Sequence, residues 1–152
     1  MVICFSPSDT DLFEKVTLYS GSLVLIAPKN KGPKNKVFKL SEIKDEPFIK
    51  IKNLKSNASQ NNLDEVFKQK NINVNWIAET ETIQVAKAMV EKGSGYSIID
   101  SFSAEIYGEE ISIHAIEPKI GYKICMVSNK EKPLSVSAKS FISYLSEPSS
   151  KI

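Results

Sequence analysis

The chain contains no arginine; all twenty of its basic residues are lysine. Arginine supplies the planar fork that reads guanine bidentately, so its absence argues against direct base readout by this polypeptide. A net charge of +2 is also too small to drive nucleic-acid binding. Histidine occurs once, at 114, and cysteine twice, at 4 and 125, so neither a metal-ligand spacing nor a thiol–imidazole pair is present. Cys4 and Cys125 each sit in a short apolar run and read as small buried hydrophobes, with no disulfide framework indicated. No apolar run approaches the ~18 residues of a membrane span. MVICFSPSD lacks a basic n-region and is not a secretory signal, so cytoplasmic residence and no membrane partner are expected. Phosphate loops and dinucleotide fingerprints are missing too. The GSG at 93–95 follows a helix rather than opening one, the wrong polarity for a phosphate cradle.

What is present is a chain of 152 residues, enough for one domain or two small lobes. MVICF predicts a short strand, and VTLYSGSLVLIA predicts two strands, or one bent strand across Gly21. Leu40–Asp45 is a helical turn closed before Pro47. Phe48–Ile51 is a strand. Leu63, Val66 and Phe67 recur at helical spacing and predict a helix over about 61–70. A strand over Val74–Ala78 leads to a helix capped at Thr82, or near Glu81, with an apolar face of Ile83, Ala86, Met89 and Val90 and a left-handed stop at Gly93. Tyr96–Ile99, Ile111–Ile116 and Ile120–Val127 are strands. Asp100 or Ser101 caps a short helix, and Ser135 caps a last helix with Ala138, Phe141, Ile142 and Leu145 on its buried stripe. Strands alternating with helices define an α/β class with a largely parallel sheet.

In such sheets ligands bind beyond the carboxyl ends of strands, beside helix N-termini. Three segments qualify. Lys52, Asn53, Lys55 and Ser56 follow the first inner strand. Glu79, Thr80, Glu81 and Thr82 follow the second. Asp100 and Ser101 follow the third. Each has a plainer reading: exposed lysines, acids favoured by a helix dipole, and simple caps. Catalytic alternatives are weak. Asp9, Asp11 and Glu14 cluster at a turn without a base, and His114 lies in a strand as a structural histidine. No cofactor and no enzymatic activity are expected.

LYSGSLVLIAPKN, LSEIKDEPFI, LDEVFKQKNINVNWIAE, VAKAMVEKGSGYSIID and PLSVSAKSFISYL follow one another in this order. In order and spacing they resemble the effector-binding domain of LysR-type transcriptional regulators. The resemblance implies a type 2 periplasmic-binding-protein-like α/β fold, with a complete second lobe (about 28–117) and part of the first (about 1–27 and 118–147). It implies a small-molecule effector held between the lobes, at the three segments above joined by Phe5 and Ser6. It also implies transcription control through a homo-oligomer, or a dimer with a relative.

The departures matter as well. The winged helix-turn-helix that would contact DNA is not in this sequence, and neither are the first βα units of the first lobe. Asp100 stands where the family pattern has proline. Lys52, Lys55 and the helix end at Thr82 favour an anionic effector, whereas Glu79 and Glu81 oppose one. The alternative function is a fragment of a solute-binding protein of a transport system.

Overall fold

A computed structural model describes residues 1–5, 11–43, 46–52, 58–106 and 110–146. Its elements are β1 (Val2–Phe5), β2 (Phe13–Pro28), β3 (Val37–Lys39), a 3-10 turn (Leu40–Glu42), β4 (Pro47–Ile51), α1 (Ala58–Gln69), β5 (Asn75–Thr80), α2 (Ile83–Glu91), β6 (Ser97–Asp100), α3 (Ser101–Glu105), β7 (Ile111–Glu117), β8 (Gly121–Asn129) and α4 (Val136–Ser146). They divide into two compact units, Met1–Ser20 with Lys123–Ile152, and Gly21–Tyr122. Both limits fall inside continuous strands, β2 and β8, where nothing in composition changes. The bent-strand reading of 16–27 thus resolves to one strand through Gly21.

In the larger unit β4 pairs with β5 in parallel, and a parallel bridge from Phe48 to Tyr96 sets β6 on the other flank of β4. Ile49 N donates to Tyr96 O at 2.8 Å, and Tyr96 N to Pro47 O at 2.8 Å. β2 then runs antiparallel to both β6 and β7, and β3 lies parallel to β7. The sheet is therefore mixed, not largely parallel. Helical crossovers keep β4, β5 and β6 parallel, but β2 reaches them without such a crossover and runs against them.

Alternation along the strands builds two cores. On one face Val24, Ile26, Ile49, Ile99 and Ile111 pack with Ala86 and Val90 of α2 and Ala104 of α3. On the other, Leu63 and Phe67 of α1 are buried. Phe48 meets Tyr96 and Trp76 edge-on at 5.6 and 6.3 Å, and Phe67 meets Trp76 at 6.0 Å. Leu25, Ile26 and Phe48 have 0% exposure, and burial of each such side chain contributes about 1.5–3 kcal/mol.

Local signals act as the residues dictate. Thr82 Oγ1 accepts from Val85 N at 3.4 Å, Asp100 Oδ1 from Ser103 N at 2.8 Å, and Ser135 Oγ from Ala138 N at 3.2 Å. Gly93 takes a positive φ of 78° and ends α2. Gly95 is required for another reason. A Cβ there would overlap the carbonyl oxygen of Pro47, so only glycine lets β6 start so close to β4.

The smaller unit holds β1 antiparallel to β8, the first part of β2, and α4. Cys125 and Met126 are buried in it. On α4, Ala138, Ile142 and Leu145 are half-buried, but Phe141 is 46% exposed and leaves the expected stripe. Among the described residues this unit has no second helix to close over that ring.

Candidate functional site

β4, β5 and β6 are parallel, so their carboxyl ends share one edge of the larger unit. Ile51 is level with Thr80, and the Phe48–Tyr96 bridge brings Lys52 level with Asp100 four residues later. Backbone bonds tie the ends together. Lys52 N donates to Thr80 O at 2.6 Å, and Thr80 Oγ1 donates to Thr82 O at 3.0 Å. Thr82 caps α2, the positive end of whose dipole faces this edge. Lys52, Glu79, Glu81 and Thr82 are exposed and Thr80 is half-buried. The edge therefore presents one ammonium, two carboxylates and two hydroxyls to solvent.

Beside it lies a buried polar knot that sequence reasoning did not find. The hydroxyl of Tyr122 accepts from Phe102 N at 3.0 Å, lies 3.3 Å from Ser101 Oγ, and donates to Asp100 Oδ1 at 3.5 Å. Tyr122 is 6% exposed and Asp100 5%. The knot exists because residue 21 is glycine: a Cβ there would stand 2.6 Å from Tyr122 Oη and 2.8 Å from Ser101 Oγ. The only sequence signal was an aromatic at the start of a strand, which resembles any core residue. Gly21 and Tyr122 are also the terminal residues of the larger unit.

Lys87 of α2 supports the same end of the sheet from beneath. It is 4% exposed, and its Nζ donates to Ser103 O at 3.2 Å. Burial pushes its ammonium below the ordinary lysine range, with Glu91 and Asp100 partly restoring it. The α2 face thus carries a lysine where apolar periodicity alone gave no reason for one.

The structure brings together Lys52, Thr80 and Thr82 in one cluster, and Asp100 and Ser101 in the neighbouring knot. Glu79 and Glu81 flank the first cluster. Ser6, Asn53, Lys55 and Ser56 lie outside the described residues. Phe5 ends β1 in the smaller unit and is half-buried. His114 is buried, with Nδ1 2.9 Å from Asn35 O and Nε2 3.0 Å from Ser112 Oγ, so both ring nitrogens have structural partners. Among the described residues no three His, Cys, Asp or Glu side chains gather as metal ligands. Among them, too, no helix is long and apolar enough to cross a membrane.

A groove of about 810 Å³ lies elsewhere. Lys70, Asn71, Asn73, Asn75 and Trp76 line it at the amino end of β5. It is the gap left where α1 turns into β5, and the parallel strand ends face away from it. Caps, hydroxyls and charges converge instead at the strand-end cluster, which makes it the candidate site on chemical grounds.

Comparison with known proteins fits this geometry. The family model of the LysR substrate binding domain matches residues 1–149. The chain belongs to that family. Its fold is the type 2 periplasmic-binding-protein-like α/β arrangement of LysR effector-binding domains. The regulatory domain of CcmR from Synechocystis PCC6803, in complex with 2-PG, superposes with a TM-score of 0.79 at 20% identity, covering 94% of this chain and 70% of that one. The effector binding domain of QuiR, in complex with shikimate, gives 0.75 at 22% identity, over 94% of this chain and 68% of that one. CbnR, a LysR family transcriptional regulator, gives 0.74 at 18% identity, over 94% of this chain and 50% of that one. This LysR-family chain thus spans about half the length of CbnR. No curated protein sequence matches it.

Proposed function

We propose that this chain is the ligand-sensing part of a LysR-type transcriptional regulator. It binds a small polar effector at the carboxyl ends of β4, β5 and β6 and does not transform it. The observation that carries the reading is the convergence of Lys52, Thr80 and Thr82, with Asp100, Ser101 and Tyr122, on one edge of the sheet. The groups there hold a ligand by hydrogen bonds and by the α2 dipole. None forms a nucleophile–base pair, which supports binding without turnover. Lys52 and the helix end favour an anionic group on the effector, and Glu79 and Glu81 suit hydroxyls or an ammonium on its other end. Asn53, Lys55, Ser56 and Ser6 belong to the proposed site on sequence grounds alone, and so does Phe5.

Family membership supports regulation over solute transport, and the relatives that hold 2-PG and shikimate supply the first probes. In the cytoplasm such a domain would act within an oligomer and reach DNA through a separate head domain, since this chain lacks arginine. The test is a thermal-shift titration with 2-PG, shikimate and a panel of small hydroxy acids and amino acids. A true ligand raises Tm in a saturable way. Lys52→Ala should abolish the shift while leaving the unliganded Tm nearly unchanged; Thr82→Val should abolish it as well, from an unliganded Tm lowered by about 2–5 °C because the α2 cap is lost. A full shift in both variants would place the site elsewhere.

A further inference from the structure

The two cysteines of the chain lie near opposite ends of the sequence, yet they are direct partners in the smaller unit. In the antiparallel pairing of β1 with β8, Cys4 stands opposite Cys125. Residues directly opposed in an antiparallel pair share a face and have Cα separations of about 4.5 or 5.5 Å. Both values fall inside the roughly 4.4–6.8 Å that a disulfide spans. The two thiols are free in this structure. Their exposures differ: Cys4 is half-buried, whereas Cys125 is 2% exposed and its Sγ lies 3.8 Å from Thr17 Oγ1. Among the described residues β1 forms an end of the sheet, and its Val2 and Ile3 are 60% and 46% exposed, so an oxidant has access to that strand.

We propose that Cys4 and Cys125 form a redox-active dithiol that closes to a cross-strand disulfide in the presence of a peroxide. The Cys4 thiolate attacks hydrogen peroxide; the O–O bond breaks, a sulfenic acid forms on Cys4, and hydroxide leaves and takes up the thiol proton as water. The Cys125 thiolate then attacks the sulfenic sulfur. An S–S bond forms, the S–O bond breaks, and a second water departs. Two thiols and one peroxide thus yield one disulfide and two waters. The division of labour follows exposure, with the accessible sulfur reacting first and the enclosed one resolving it. The product pins the edge strand β1 to β8 and closes a long loop from residue 4 to residue 125, which removes much freedom from the unfolded state.

The experiment treats the full chain with hydrogen peroxide and follows intact mass, thiol count and Tm. Expected are loss of two hydrogens in mass, a fall from two titratable thiols to none, a peptide linking Cys4 to Cys125, and a monomer on a non-reducing gel. Tm should rise by about 5–15 °C and fall back on adding dithiothreitol. Cys125→Ser should leave Cys4 oxidised without a crosslink, and Cys4→Ser should leave Cys125 unreacted. If either variant fails to fold, the linking peptide in the native chain still decides. A disulfide-linked dimer, a Cys4 that gains oxygen while Cys125 stays reduced, or an unmoved Tm overturns the proposal.

Discussion

Replacing Gly21 with alanine tests the polar knot most directly. The added Cβ would lie 2.6 Å from Tyr122 Oη, 2.7 Å from Tyr122 Cζ and 2.8 Å from Ser101 Oγ. All are closer than carbon tolerates, so the Tyr122 ring must move. That ring is 6% exposed and has little room. Overpacking of this kind costs about 1–3 kcal/mol. Displacing the hydroxyl also weakens the 3.0 Å bond from Phe102 N, a loss of about 0.5–1.5 kcal/mol. Alanine returns about 0.4–1 kcal/mol by restricting the unfolded chain. The balance is a destabilisation of about 1–3 kcal/mol, or roughly 3–10 °C in Tm for a chain of this size. Thermal and urea unfolding measure it. Tyr122→Phe removes the nearest clashing atom but keeps the ring carbon at 2.7 Å. In that background Gly21→Ala should therefore cost less, by a coupling of about 0.5–1.5 kcal/mol. Strict additivity of the two changes, or an unchanged Tm for Gly21→Ala alone, would refute the account of why residue 21 is glycine.

Other outcomes follow from the same geometry. Gly95→Ala forces β6 away from the Pro47 carbonyl and should destabilise by about 2–4 kcal/mol in urea unfolding, because backbone rather than a side-chain tip must yield. Ser97→Ala loses the buried bond from Ser97 Oγ to Ile49 O at 2.9 Å and should lower stability by about 1 kcal/mol, read from the urea midpoint. Burial lowers the Lys87 pKa from 10.5, so in the range below 10.5 the unfolded chain holds more protons and stability from this group rises with pH. Burial, aided by Glu46, raises the Tyr96 pKa above 10.0, so its contribution is complete below pH 10.0 and falls as pH climbs past it. Urea midpoints from pH 7.5 to 11 should therefore lose the rising slope in Lys87→Met and the falling one in Tyr96→Phe.

Much of the edge was legible because capping and turn chemistry are local. Thr82, Asp100 and Ser135 announce helix starts within three residues of sequence, and Gly93 announces a stop. The α/β class was legible because strands and helices alternate with distinct apolar periods. Strand direction was not. The antiparallel course of β2 against β6 and β7 depends on how distant segments meet, and no period in FEKVTLYSGSLVLIAP encodes it. β3 was missed because three residues are too short to show a period.

Composition and spacing alone therefore determined what this chain is built from: basic residues that are all lysine, an α/β core, and capped helices that follow strands. Tertiary structure decided which remote residues share a surface. Tyr122 reaches Asp100, Lys87 reaches Ser103, and Cys4 faces Cys125 only after the strands have paired. Local signals are carried by backbone preferences within a few residues. Such contacts arise from packing between segments far apart in the chain, where geometry rather than propensity selects the partner.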